Sequence, residues 1–268
     1  MATVLVTGAT DGLGRALAER LARERHTVLA HARNEQRGHE ALGDLLDGSR
    51  GDVRLVTGDF ASLAEVRALA DQVPDRLHVL VNNAGIGGAN PTRERAESAD
   101  GYELRFAVNY LAGFLLTALL RERLIASAPA RIVNVASAGQ MAIQFDDVML
   151  ERGYSGIRAY CQSKLAQIMH AFDLAEELRN EGVSANALHP ATYMPTKMVH
   201  AAGTTPASPL ADGVAATWRL AADPALRGTT GRYFSGTLEA RADPQAYDPA
   251  ARRRLRELSE RLVGESEQ

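Results

Sequence analysis

Short apolar runs separated by helix-length periodic segments recur along this chain, and that alternation constrains its fold more than any other feature. Thr3–Thr7 (TVLVT), His26–Ala30, Asp52–Val56, Leu77–Val81, Arg131–Val135 and Val183–Leu188 read as six buried strands, with Arg232–Ser235 as a weaker seventh. Between them, apolar residues at 13, 17 and 21 mark one helix face, and Gln36–Leu46 marks a second helix. Ser62 opens a third, with Glu65 at the capping-box spacing. Further helices are expected from about Asp100 to Ser127, from about Ser155 to Arg179, and over Leu210–Leu220, the last with Ser208 as its cap and Pro209 at its first position. A final helix, Ala250–Val263, puts Leu255, Leu258 and Leu262 on one face for docking on the core. Strands parted by helices of this length form right-handed βαβ units. The expectation is an α/β fold with a doubly wound sheet of about seven parallel strands, one domain over residues 1–268. Two segments break the rhythm, 138–153 and 190–209, and both belong above the carboxyl edge of the sheet, where ligands bind in open α/β folds.

Composition excludes several classes. With 33 acidic against 30 basic side chains, nothing favours a nucleic-acid or anionic-membrane partner. The single cysteine, Cys161, cannot close an intrachain disulfide. The seven histidines show no paired ligand spacing, so no metal is expected. MATVLVTG lacks a basic n-region, and no run of 18 apolar residues occurs, so a cytoplasmic location is expected. Nothing in the sequence excludes a homo-oligomer. Of the 30 basic residues only Lys164 and Lys197 are lysines. An arginine-rich genome explains the bias, but a surviving lysine asks what an ammonium does that guanidinium cannot.

After the first strand come Gly8, Ala9, Thr10, Asp11, Gly12, Leu13 and Gly14, with helix periodicity starting at once. Glycines there allow a tight turn and bring a phosphate to a helix N-terminus. No Gly-Lys-Ser/Thr follows, which excludes a P-loop. The end of the second strand meets the adenosine ribose in such folds, and a carboxylate there would repel a 2′-phosphate. This chain has His31-Ala32-Arg33 instead, and Arg15 follows the glycine turn. Two guanidiniums at one ribose favour NADP(H) over NAD(H). Asp59, followed by Phe60, ends the third strand, and Asn82-Asn83-Ala84-Gly85 ends the fourth. Asp59 suits an adenine amino group or a turn, and the Asn pair suits a cofactor edge or plain turn chemistry.

Tyr160 and Lys164 are four residues apart on the helix after strand five and so share a face. An ammonium beside a phenol favours the phenolate, which predicts a lowered pKa for Tyr160. A lysine snorkelling from the helix flank is the plainer alternative. Ser137, at the end of strand five, is placed to hold a carbonyl oxygen while Tyr160 gives a proton. Asn109 is a polar residue among apolar helix neighbours and must find partners, a water or a backbone group.

Taken in order, the glycine turn, Asp59, Asn82–Gly85, Asn109, Ser137, and Tyr160 with Lys164 resemble the short-chain dehydrogenase/reductase family over roughly residues 3–236. The resemblance implies a Rossmann fold and a catalytic tetrad of Asn109, Ser137, Tyr160 and Lys164. It implies cofactor contacts from Gly8, Thr10, Asp11, Gly12, Leu13, Gly14, Arg15, Arg33, Asp59, Phe60, Asn83, Ala84 and Gly85. Tyr160, Lys164, Pro190, Thr192 and Thr196 complete that set. Ile143–Asp147 and the 23-residue interval from Ser137 to Tyr160 are similar to the retinol-dehydrogenase-like branch, which handles bulky apolar carbonyls and alcohols. His189-Pro190-Ala191 departs from the family's usual Pro-Gly. The implied activity is NADPH-dependent reduction of a ketone or aldehyde, with Tyr160 as proton donor. An alcohol dehydrogenase working mainly in the oxidative direction is the alternative, and retention of Tyr160 and Lys164 argues against a catalytically silent nucleotide-binding protein. Pocket walls are expected from Met141, Ile143, Phe145 and Met149, and from Tyr193, Met194, Met198 and Val199.

Overall fold

Val, Leu and Val fill the first strand, β1 (Thr3–Val6), so both its faces must be covered, and both are. In the computed structural model, which describes residues 1–48, 51–88 and 94–265, β1 pairs in parallel with β2 (Thr27–Ala32) on one side and β4 (Val79–Asn82) on the other. β3 (Val53–Thr57) lies outside β2, and β5 (Ala130–Val135), β6 (Val183–His189), β7 (Tyr233–Ser235) and β8 (Leu238–Ala240) continue beyond β4. The sheet order is β3-β2-β1-β4-β5-β6-β7-β8. Winding direction reverses between β1 and β4, which opens a crevice at their carboxyl ends.

One face of the sheet is covered by α1 (Gly12–Arg23), α2 (Glu35–Leu46) and α8 (Leu210–Ala222), through Leu17, Leu21, Leu42, Leu45 and Leu220. The other carries α3 (Leu63–Asp71), α5 (Ala112–Ala126), α6 (Gly156–Glu177) and α9 (Pro249–Glu265), through Leu69, Leu116, Leu120, Ile168 and Leu255. A short α4 (Leu104–Phe106) and one π turn (Ala107–Leu111) lead into α5, and α7 (Lys197–Ala201) is a single turn. The 23-residue stretch Leu104–Ala126 is long and apolar enough to cross a membrane, yet 67% of its most apolar window is buried inside the fold. It is a core helix here.

The expected seven parallel strands are β1–β7; among the described residues the sheet gains an eighth, β8, which follows β7 after Gly236 and Thr237, too short a link for a crossover, so it pairs antiparallel. Three expectations are corrected. The long helix begins at Leu104 rather than near Asp100, because the Glu103 carboxylate accepts from Phe106 N and caps it. α8 has Pro209 itself in the cap position, with no side-chain hydrogen bond, so Ser208 is not its cap. Only half a capping box forms at α3: Ser62 accepts from Glu65 N, but the Glu65 carboxylate accepts from Asp59 N at 2.7 Å.

The C-terminal helix docks as its leucines require. Leu255 is buried, Leu258 and Leu262 pack against the same cluster, and Tyr110 and Ser259 share a buried 2.8 Å hydrogen bond. Leu255→Ala should lower the free energy of urea unfolding by about 2–4 kcal/mol. A loss under about 1 kcal/mol would mean that α9 merely lies on the surface.

Candidate active site

The crevice is built by Thr7 at the end of β1. Its hydroxyl donates to Val81 O and accepts from Asn83 N and Ala84 N, tying β1 to the segment after β4. The Asn83 amide then donates to Thr7 O and Gly8 O. Asn83 therefore shapes the glycine turn with its side chain, the turn role that its sequence position left open. Gly8 (φ +65°) and Gly12 (φ +47°) take left-handed conformations that suit glycine. A Cβ on Gly14 would strike the Gly8 carbonyl and lie 2.6 Å from Asn83 Nδ2. Ala84 is as close to Gly8, since a Cβ there would stand 2.8 Å from the Ala84 Cα. Only a backbone bare at these places closes against β4 and still presents the N-terminus of α1 to the cleft, where its amide groups suit an anion. Asp11 caps that helix through Gly12 N, and Leu13 turns into the core. The cradle fits the pyrophosphate of a dinucleotide.

One supporting residue was not anticipated. His31, buried in β2, accepts from Gly8 N at Nδ1 (3.0 Å), while its Nε2 lies 2.7 Å from Gly58 O. Those partners make it a neutral ring, protonated on Nε2. It stacks on Phe60 at 4.6 Å between ring centres, so Phe60 backs the turn from inside the fold. A lone histidine in an otherwise apolar strand was the available signal.

Arg33 stands at the end of β2 with its side chain 59% exposed, 3.9 Å from Asp59. Asp59 also accepts from Ala61 N, its turn role. Arg15 does not join Arg33. Its Nε donates to Ala41 O, and its guanidinium binds both oxygens of Asp44 at 2.8 Å, which ties α1 to α2. The expectation of two guanidiniums at one ribose is corrected to one, because a bidentate carboxylate on α2 already holds the other.

At the chemical end, Tyr160 and Lys164 share the inner face of α6, with Lys164 Nζ 5.7 Å from the Tyr160 ring centre. The Ser137 hydroxyl lies beside the phenol ring: a Cβ on Gly139 would stand 3.5 Å from Ser137 Oγ and 3.7 Å from the Tyr160 ring edge. Gly139 N donates to the Ser137 hydroxyl, and Tyr233 and Gln140 both donate to its carbonyl, so the end of β5 is clamped. Burial pushes the Tyr160 phenol up, and the neighbouring Ser137 hydroxyl only pulls against that. The expected lowering by Lys164 is therefore not seen: the ammonium is turned onto Val135 O (3.0 Å) and Gln167 Oε1 (2.8 Å), and burial pushes it down to about 7. Asn109 lies in the π turn, a feature common at functional sites. Its Oδ1 accepts from Ile86 N, and its Nδ2 donates to Ile86 O and Ser163 Oγ. The partner it needed is thus the Ile86 backbone. Ser163, also unanticipated, donates on to Tyr160 O. Gly85 borders this group, since a Cβ there would lie 3.2 Å from Asn109 Oδ1 and 3.4 Å from Lys164 Nζ.

The two irregular segments behave differently from each other. In 138–153, Ile143 is buried, and Phe145 and Met149 pack on the same core. Gln162 and Gln245 accept from the backbone of Gln144 and Ile143 and pin the loop down. Most of that expected wall is loop packing, with Met141 left exposed. In 190–209, Met194 packs on the α8 side, while Tyr193 and Met198 are exposed. Thr196 caps α7 and lies against Gly12, so that a Cβ on Gly12 would stand 2.8 Å from its methyl. Lys197 pairs with Asp11 at 3.4 Å. The segment thus reaches across the glycine turn. Pro190 is buried, and the Thr192 hydroxyl meets His189 Nε2 at 3.2 Å. Ala191 needs no positive φ, because the left-handed residue is Tyr193 (φ +47°) instead.

Comparison with known proteins agrees with this geometry. The sequence pattern of the short chain dehydrogenase family matches residues 2–207. Mouse retinol dehydrogenase 14 is 36% identical over 98% of this chain and 86% of its own length, and human retinol dehydrogenase 13 is 34% identical over 98% and 84%. Among solved structures, Pseudomonas aeruginosa RhlG in an active-site complex with NADP superposes with a TM-score of 0.71 at 25% identity, covering 87% of this chain and 94% of that one.

His31 gives the cradle a pH dependence. Burial pushes it down to about 4, so the folded protein keeps it neutral while the unfolded chain protonates near 6.5. As pH falls through that window the unfolded state binds the extra proton, and stability drops by about 1.4 kcal/mol per pH unit. Between pH 7 and 5, urea unfolding should show wild type losing about 2 kcal/mol more than His31→Gln. Equal losses would contradict a buried neutral ring.

Proposed function

The chain belongs to the short chain dehydrogenase family, in its retinol-dehydrogenase-like branch, and is an NAD(P)-dependent oxidoreductase; from that premise we propose that it reduces a bulky apolar ketone or aldehyde with NADPH. The observation that carries the reading is Tyr160 set beside both the Ser137 hydroxyl and a buried Lys164, at the same sheet edge as a dinucleotide cradle.

The nicotinamide, when bound, supplies hydride to the carbonyl carbon. Gly8, Gly12 and Gly14, with the N-terminus of α1, would hold the pyrophosphate. Ala84 and Thr196, packed against Gly8 and Gly12, and Gly85, beside Lys164, would line the approach, to which the family resemblance adds Thr10, Pro190 and Thr192. Arg33, at the end of a strand with no carboxylate, would take the 2′-phosphate, and this supports NADPH. Ser137 orients the carbonyl oxygen, and Tyr160, kept protonated by burial, donates its phenolic proton to that oxygen as charge develops. Lys164 stabilises the phenolate left behind. Asn109 fixes Ile86 and Ser163 and so sets the floor under Tyr160. Exposed Tyr193, Met198, Ile157 and Met141 offer an apolar rim for the substrate. The relatives' name, retinol dehydrogenase, favours a second reading with the same residues run in reverse, oxidation of an apolar alcohol. Cys161, buried and free, suits the reducing cytoplasm that we propose as the location.

Arg33→Ala should cut kcat/KM with NADPH at least tenfold, about 1.4 kcal/mol, and leave NADH nearly unaffected. Equal losses with both cofactors, or a wild-type preference for NADH, would contradict the assignment. Tyr160→Phe should lower turnover about a hundredfold or more while NADPH binding by fluorescence persists. Near-normal turnover in that variant would end the mechanism.

A further inference from the structure

Lys164 is a buried ammonium with no carboxylate paired to it among the described residues. Its neighbours on every side are neutral or main chain. β5 offers Val135 O, the π turn offers Asn109, and Gly85 closes the third side. The titratable group that faces it is Tyr160, on its own helix. The remaining contact is Gln167 Oε1, one turn further along α6, at 2.8 Å.

Gln167 is itself 4% exposed and firmly placed. Its carbonyl accepts from Asn134 Nδ2 at 2.9 Å, and Asn134 Oδ1 accepts from Asn82 Nδ2 at 2.9 Å. Asn82 also donates to Thr117 Oγ1, which donates back to Gly113 O. A buried ladder of neutral amides and hydroxyls therefore joins α6 to β5, β4 and α5. Such a ladder holds its members in one arrangement, because a buried polar group that loses its partner keeps the full cost of desolvation.

We propose that Gln167 is a positioning residue whose amide oxygen, together with Val135 O, holds the Lys164 ammonium charged at the end of β5, and so sets the pH range over which that cation is present. The proposal rests on the reading of Lys164 as part of the reaction. Burial already pushes Lys164 down to about 7. A neutral acceptor recovers part of the lost hydration, a methylene in its place recovers none, and a carboxylate overcompensates.

The chain's two lysines make the test direct. Lysine labelled with 13C at Cε gives two NMR signals in the cofactor-free protein, and Lys197→Arg identifies which belongs to Lys164. The Lys164 signal should titrate near pH 7 in wild type. In Gln167→Met, close in shape but with no strong acceptor, the midpoint should fall by about one to two pH units, a tenfold to hundredfold change in the equilibrium. In Gln167→Glu it should rise by at least as much. Both variants keep the main-chain bond to Asn134. The alkaline fall in kcat/KM should move with the NMR midpoint in each. Midpoints unchanged in both folded variants would overturn the proposal, as would lost activity at a fixed midpoint, which marks plain packing. Midpoints that move in a protein that reduces no carbonyl would uphold Gln167's hold on the lysine and refute the proposed reaction instead.

Discussion

Burying an ammonium without a counter-ion is the constraint on which the rest of the site depends. Lys164 reaches from α6 to the end of β5, where it has two neutral acceptors, and burial lowers its hold on the proton. The same burial moves Tyr160 the other way, so both partners are biased toward their neutral forms. A phenol kept protonated holds the proton that the proposed reduction would deliver. The lysine then has its greatest effect when a phenolate forms beside it, because a charge developing in a dry site is felt strongly.

The sheet supplies this environment cheaply. Parallel strands place every carboxyl end on one edge, so β1, β4 and β5 bring Thr7, Asn83 and Ser137 together without long loops. Thr7 is the hinge of that convergence: its hydroxyl serves three partners, on the turn side and on the β4 side. The π turn does comparable work on the opposite wall, where it swings Asn109 onto Ile86.

Local patterns in the sequence carried most of this. Strand periodicity, the three glycines and the Tyr160–Lys164 spacing each depend on residues a few positions apart, and each took the expected place. Features set by distant partners were not legible. Arg15 was read beside a ribose because Asp44, 29 residues away, is what holds it. Gln167 is near Lys164 in sequence, but the ammonium's turn onto it follows from Val135 O on β5, 29 residues away from Lys164. Ile143 and Met149 looked like pocket lining because apolar side chains facing a core and facing a substrate have the same composition. The short β8 was missed for a related reason, since its three residues are mostly exposed and carry no apolar alternation.

The central claim is that these residues direct hydride to a carbonyl carbon on an apolar substrate. NADPH carrying deuterium at C4, prepared separately on each face, can be incubated with the wild-type protein and retinaldehyde, and the alcohol analysed by mass spectrometry. The account predicts deuterium on the former carbonyl carbon from one face of the cofactor and none from the other. Turnover that leaves deuterium out of the alcohol with both labels would contradict it.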